Sequence, residues 1–361
     1  MRIKLALIVG ARPNFMKAAP LMHELAKFPD KFEPYLIHTG QHYDHNLSQL
    51  FFEQLKMPKP DIYLGVGSKS HAEQTGEIMV GLERTFLDIR PDWVIVFGDV
   101  NSTMAGAIVA KKIHMNVAHV EAGLRSFDID MPEEVNRIVT DRISDFLFVS
   151  ESSGLKHLKD EGVPEDKIYF AGNIMIDSLV SHLELARQSD ILKRLSIRTN
   201  EFVAMTMHRP ANVDDANSLA LLLERISDIG RDIPIVFPCH PRTKKQIEQM
   251  NDTVTKNIQM TEPLGYLDFL KLQSEAKLVL TDSGGIQEET TYLGVQCVTM
   301  RKNTERPVTV DVGTNRIAGI NPDNIYAMVK SVLDGNIKKG EIPKLWDGKT
   351  AERIVAKLGE L

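Results

Sequence analysis

The sequence predicts an α/β protein made of two doubly wound, Rossmann-like parallel-sheet domains. Three observations carry that expectation. Short β-branched runs alternate with helical patterns along the chain, and the runs are almost continuously apolar, as strands covered on both faces are. The alternation breaks once, at a polar helical stretch over residues 174–200. The length of 361 residues suits two domains, each with a core of its own.

In the first half the strand-like runs are KLALIVG (4–10), EPYLIHTG (33–40), WVIVFGD (93–99), NVAHVEA (116–122), FLFVS (146–150) and KIYFAGN (167–173). Helical patterns such as SSGLKHLKDEG (152–162) separate them. The second half repeats the scheme with FVAMTMH (202–208), IPIVFPCH (233–240), IQMTEP (258–263), KLVLTDS (277–283) and QCVTMR (296–301). The boundary is expected near Gly172–Asn173, and TAERIVAKLGEL at the end reads as an amphipathic helix.

Composition narrows the function classes. Forty-three basic and 49 acidic residues give a net charge of −6 with no block of like charge. That argues against a general nucleic-acid or anionic-membrane binder. The two cysteines, Cys239 and Cys297, form neither a metal-ligand spacing nor a disulfide framework, which fits a reducing cytoplasm. The opening MRIKLALIVG is too short in its apolar run for a signal peptide and reads as a first strand. No run approaches a membrane span.

In doubly wound sheets ligands sit beyond the carboxyl ends of strands. Two such domains face to face would hold a ligand in the cleft between them. The polar chemistry does cluster at strand ends: GARP, TGQH, GDVNST, EAGLRS, HRPAN, CHPRT, DSGG and MRKNTERP. GARPNFMKAAP (10–20) places Arg12 and Lys17 near a helix start, where an anion is favoured. It lacks the G-x-G-x-x-G dinucleotide fingerprint. Pro20 within the helical pattern should remove a hydrogen bond and kink it.

After VIVFGD, Asp99 has two open roles, helix cap or site carboxylate, whereas Asn101 and Ser102 read as caps. HVEAGLRSFDIDMPEEVNR (119–137) is the densest polar stretch. Glu121 directly follows a buried strand and needs a partner there, for which Arg125 and Arg137 are at hand. Pro132 reads as the first residue of a helix, and Glu133 and Arg137 are spaced to share a face. His208 ends the first strand of the second half, followed by Arg209. CHPRT (239–243) repeats that pattern, and QHYDH (41–45) reads as polar loop rather than a metal cluster. TDSGGIQEE (281–289) is the strongest motif: a strand, Ser-Gly-Gly and a helix start present free N–H groups to an anion. Helix-start electrostatics explain one of its glutamates but not both. RKNTERP then supplies Arg306.

Taken in order, GARPNFMKAAP, TGQHYD, GDVNST, HVEAGLRS, MPEEVNR, TDSGGIQEE and TERP resemble the non-hydrolysing UDP-N-acetylglucosamine 2-epimerases over almost the whole chain. The resemblance implies the GT-B fold, with the active site in the interdomain cleft and a C-terminal helix returning to the first domain. The domains would then be 1–172 plus about 349–361, and 173–348 as the UDP-binding half. It implies interconversion of UDP-GlcNAc and UDP-ManNAc through elimination of UDP, a 2-acetamidoglucal and re-addition, with no cofactor and no metal. Asp99, Glu121, Glu133 and His208 are the implied catalytic residues. Arg12, Lys17, Arg137 and Arg306 line the catalytic or phosphate side, Ser283, Gly284 and Gly285 hold the diphosphate, and Glu289 takes the ribose hydroxyls. The expected partners are a UDP-sugar and a second copy, the family being commonly dimeric.

Pro210, Tyr43 and CHPRT depart from the pattern of many bacterial members, at loops that some use to bind a second UDP-GlcNAc. Similar motifs occur in epimerases of UDP-2,3-diacetamido uronates. A hydrolysing 2-epimerase, a GT-B glycosyltransferase and a catalytically dead sensor are the other readings. An acceptor requirement would mark the second, and the intact set of acids and bases argues against the third.

Overall fold

The computed structural model describes residues 2–41, 55–213, 215–239, 241–250 and 252–361. It divides into two compact units, Met1–Ser181 with Lys344–Leu361, and His182–Pro343.

The first unit carries strands β1 (Ile3–Val9), β2 (Phe32–His38), β3 (Ile62–Tyr63), β4 (Trp93–Phe97), β5 (Asn116–Ala122), β6 (Phe146–Val149) and β7 (Ile168–Phe170). Their order across the sheet is β3-β2-β1-β4-β5-β6-β7, and every pairing is parallel. The second unit holds β8 (Val203–Thr206), β9 (Ile235–Pro238), β10 (Ile258–Thr261), β11 (Leu278–Thr281), β12 (Gln296–Thr299) and β13 (Asn315–Ile317), ordered β10-β9-β8-β11-β12-β13. Both orders reverse direction once, between β1 and β4 and between β8 and β11. That reversal is the switch point where such sheets open a crevice at their carboxyl edge. Two Rossmann-like units in one chain are the make-up the GT-B expectation required.

Side-chain alternation explains why these runs became strands covered on both faces. Phe202 and Ala204 pack with Leu272, Val279 and Val295 on one side of the second sheet. Val203 and Met205 pack with Leu223, Phe237 and Leu280 on the other. In the first sheet Ala6, Ile8, Val94 and Val96 share a core with Ile78, Leu82 and Phe86 of the helix His71–Ile89. β3 and β13, of two and three residues, are edge strands absent from the expected set.

The expected boundary near Gly172–Asn173 falls ahead of the observed transition, because the helix Ile174–Arg187 begins inside the first unit and passes into the second. The C-terminal helix, Thr350–Leu358, belongs to the first unit, which the chain re-enters at Lys344. Asp177 accepts the Thr350 and Ala351 N–H groups at 3.1 and 2.7 Å, satisfying two donors of that helix start. Trp346, fully buried, donates from Nε1 to the Ser150 carbonyl at 3.0 Å. No helix among the described residues is long and apolar enough to cross a membrane.

Candidate active site

Beyond the carboxyl ends of β1, β4 and β5 the first unit gathers a buried charged cluster. The chain leaves β1 at Gly10 and enters the helix Arg12–Leu25, which runs on through Pro20. Asn14 fixes this turn. Its Oδ1 accepts the Gly10 and Ala11 N–H groups at 3.2 and 3.3 Å, and its Nδ2 donates to the Phe97 carbonyl at 2.9 Å. Lys17, further along the helix, then points at the β4–β5 edge. Its ammonium donates to Glu121 Oε1 at 2.7 Å, with both side chains almost wholly buried. Gly98 makes room for this pair. A Cβ there would lie 2.6 Å from Lys17 Nζ, and its φ of +61° is open to glycine. The Arg12 side chain lies outside the described part of the structure, as do His42, Tyr43 and His240.

Glu121 is itself unusual. Its φ is +74°, and the pairing of β5 with β6 shifts register between Val120 and Ala122. A left-handed non-glycine residue costs about 1–3 kcal/mol and persists where its surroundings over-determine it. The bulge turns the carboxylate out of the strand's ordinary alternation and toward Lys17. The expected partners were Arg125 and Arg137. Lys17 takes their place because both arginines are committed elsewhere. Arg125 binds Asp141 at 2.6 Å and Glu161 at 2.8 Å. Arg137 binds Asp99 at 2.5 Å and also Glu134.

The helix Pro132–Ile143 starts at Pro132, as expected. The Glu133–Arg137 pair does not form: Glu133 is exposed and has no ion pair among the described residues. Glu134, three residues before Arg137, lies on the buried face instead. Its carboxylate also accepts the Ser126 and Phe127 N–H groups at 3.0 to 3.1 Å. Asn101 and Ser102 are not caps either. The helix Asn101–Lys112 is capped at Val100 with no side-chain bond. Asn101 donates to Gln74 Oε1 at 2.9 Å and Ser102 donates to Gln41 Oε1 at 2.7 Å, tying the ends of β2 and β4 together.

In the second unit the site residues meet at the carboxyl ends of β8, β11 and β12. Asp282, fully buried after β11, accepts the His208 and Arg209 N–H groups at 3.0 and 2.9 Å and Asn212 Nδ2 at 3.0 Å. His208 Nδ1 stands 2.9 Å from Asp282 Oδ1, while its side chain is 58% exposed. Burial pushes the Asp282 carboxyl up, but the His208, Arg209 and Asn212 donors outweigh it and hold the group below its ordinary range. The sequence reading missed this carboxylate as the group that orients His208.

Ser283 caps the helix Gly284–Leu293, so Gly284 and Gly285 form its first turn with their N–H groups unclaimed by the helix. Gly284 also lets Arg306 approach: a Cβ there would lie 2.9 Å from Arg306 Nη1. Arg306 Nε lies 2.7 Å from Glu288 Oε1, both buried. Glu288 is therefore not a helix-start charge; it lies past the first turn and pairs with Arg306. Glu305 binds Arg301 at 2.7 and 2.8 Å and Arg209 at 3.4 Å. Burial opposes its ionisation, and the Arg301, Arg306 and Arg209 charges overcome that and hold its carboxyl well below the usual range. Glu289 is buried and accepts from Gln273 Nε2 at 2.5 Å and Tyr266 Oη at 3.3 Å.

Each unit thus presents carboxylates beside fixed cations at a sheet's carboxyl edge, and the second adds a glycine-lined helix start and an oriented imidazole. That set can exchange a proton and bind an anion. A family model described as UDP-N-acetylglucosamine 2-epimerase matches residues 23–359. A UDP-N-acetylglucosamine 2-epimerase of Methanocaldococcus jannaschii is 41% identical over 362 residues, covering 98% of each chain. A UDP-2,3-diacetamido-2,3-dideoxy-D-glucuronate 2-epimerase of Pseudomonas aeruginosa is 37% identical, covering 99% of this chain and all of that one. Among solved structures, the Methanocaldococcus jannaschii UDP-GlcNAc 2-epimerase in complex with UDP-GlcNAc and UDP superposes with a TM-score of 0.90 at 40% identity, over 99% of this chain and 100% of the other.

Proposed function

The chain belongs to the UDP-N-acetylglucosamine 2-epimerase family, and from that premise we propose that it interconverts UDP-GlcNAc and UDP-ManNAc without net hydrolysis. The C2 proton is not acidic in the substrate, so a base removes it as the C1–O bond breaks. The bonding pair leaves with UDP, and a C1–C2 double bond forms, giving a 2-acetamidoglucal. UDP then adds back to C1 while a proton is delivered to the other face of C2.

The observation that carries this reading is the buried Glu121 carboxylate, held in a strained left-handed conformation beside Lys17. Such a group has a fixed position and acts on a proton without reorganising. Asp99, fixed by Arg137, supplies a second carboxylate for positive charge developing at C1. His208, oriented through Nδ1 by Asp282, leaves Nε2 for proton transfer. Glu133, exposed, completes the proposed acid–base set.

Negative charge grows on the diphosphate as C1–O breaks. Ser283, Gly284 and Gly285 receive it at a helix start, with Arg306 alongside, and Arg12 is assigned to the same charge. Glu289, a buried carboxylate on the same helix as Gly284 and Gly285, takes the ribose hydroxyls. No cofactor takes part in these steps. We further propose that the enzyme works as a homodimer in the cytoplasm, supplying a precursor for polysaccharide synthesis.

Incubation with UDP-GlcNAc and separation of the products tests the reading. UDP-ManNAc with no matching release of UDP supports it; stoichiometric free UDP and free sugar reject it. The Pseudomonas aeruginosa relative favours one second reading, a UDP-2,3-diacetamido uronate as substrate. Turnover of that sugar at far higher kcat/KM than UDP-GlcNAc would select it.

A further inference from the structure

One buried carboxylate outside the catalytic set gathers the residues on either side of Glu121. Asp141 lies on the helix Pro132–Ile143, one turn after Arg137. Its Oδ1 is 2.7 Å from His119 Nδ1. Its Oδ2 accepts the Gly123 N–H at 3.0 Å and Arg125 Nη1 at 2.6 Å. The three donors come from positions 119, 123 and 125, so the acceptor brackets Glu121 along the chain. The Glu121 backbone at φ +74° and the bulge beside it lie inside that bracket.

His119 extends the bracket to the second carboxylate. Its Nε2 lies 2.7 Å from the Gly98 carbonyl, and the ring is fully buried. The ring therefore spans from the Asp141 carboxylate to the Gly98 carbonyl. Gly98 leads directly into Asp99, and its N–H donates to the Val120 carbonyl at 3.0 Å. The same helix therefore grips Asp99 through Arg137 and braces the Gly98 turn through Asp141 and His119.

We infer that Asp141, acting through His119 and the Gly123 N–H, is a positioning residue that sets the spacing of Glu121 and Asp99. This rests on the proposed elimination at C2. Neither Asp141 nor His119 touches the reacting atoms in this account. Their effect is on the geometry of the groups that do, where a misplacement of about 1 Å costs roughly 10²-fold in rate.

Asp141→Asn tests it, with His119→Gln as the second variant. An amide has one acceptor oxygen, so Asn at 141 cannot serve both His119 and Gly123. Full-length enzyme is assayed for kcat and KM with UDP-GlcNAc, for UDP affinity by calorimetry, and for deuterium uptake at C2 in D₂O. The expected result is a kcat and exchange rate lowered roughly 10²-fold, with KM and UDP affinity within about twofold. Glu161→Gln, which loosens only the outer face of Arg125, should keep kcat within about twofold and shows that charge loss near Asp141 is not the cause. If Asp141→Asn does not fold, His119→Gln decides alone. A folded variant with wild-type kcat, or with KM and UDP affinity shifted and kcat unchanged, overturns the inference. Absence of C2 exchange in the wild-type enzyme overturns the elimination reading itself, so the two failures are told apart.

Discussion

Lys17 and Glu121, separated by 104 positions, form an ion pair at 2.7 Å with both side chains almost fully withdrawn from water. Breaking a buried pair from one side leaves a charge that water cannot reach, a cost of about 3–5 kcal/mol. Lys17→Met should lower unfolding free energy by that order in chemical denaturation. The double variant with Glu121→Gln should recover part of the loss, because the stranded charge is gone.

Glu121→Gln alone separates chemistry from binding. The amide keeps the side chain's size but cannot take up the C2 proton. UDP affinity should stay within about threefold while kcat falls by roughly 10²–10⁴. Most of the activity surviving in this variant would remove Glu121 from the chemistry.

Asp282 holds His208 by its backbone and its ring. Asp282→Asn should lower kcat roughly 10²-fold while circular dichroism stays native. If Asp282 acts through His208, the double variant Asp282→Asn/His208→Ala is no slower than His208→Ala. Additive losses would show that Asp282 acts independently of the imidazole.

In the proposed site, Gly284 would act on the diphosphate through Arg306. An alanine Cβ at 2.9 Å from Nη1 must push the guanidinium aside, and the Arg306–Glu288 pair at 2.7 Å shifts with it. Gly284→Ala should weaken UDP binding about tenfold, near 1.4 kcal/mol, by calorimetry, with little change in Tm. Unaltered affinity would mean that the guanidinium takes no part in holding the nucleotide.

These cases show what was legible in the sequence. Strand runs, the two-domain division and the polar strand ends follow from local periodicity, and they place nearly every site motif. Partners do not. Lys17 pairs with Glu121 across 104 positions, and no local rule selects it over the nearer Arg125 and Arg137. Spacing alone could not decide between Glu133 and Glu134 for Arg137, since three and four residues both return to one helix face. Asp141 carries a faint signal, an acid one turn beyond Arg137 on the buried face. Asn101 and Ser102 look like caps locally and were recruited by Gln74 and Gln41 from other elements. β3 and β13 are too short to show a period.

Two buried groups of the first unit tie its stability to pH with opposite signs. Burial pushes His38 down from 6.5 to about 4, and its Nδ1 accepts the Gly40 N–H at 2.8 Å. The unfolded chain takes up that proton first, so this contribution, present above pH 6.5, is lost as pH falls toward 4. Burial raises Asp177 from 3.8 to about 6 against the pull of the Ala351 and Thr350 N–H groups. Here the folded state holds the proton longer, so the contribution is present below pH 3.8 and lost as pH rises through 6. Relative to wild type, His38→Gln should gain stability on acidification from pH 6.5 to 4, and Asp177→Asn should gain on going from pH 4 to 6. Thermal unfolding across pH 4–7 reads both differences, and parallel curves for all three proteins would refute the assignment.

The proposed mechanism turns on proton exchange at C2 by a buried carboxylate site. Proton NMR of UDP-GlcNAc with the enzyme in D₂O tests it most directly. The C2 proton signal should disappear as UDP-ManNAc appears, in both sugars, without an acceptor and without accumulation of UDP. Retention of the C2 proton through many turnovers, or release of UDP in step with its loss, would contradict it.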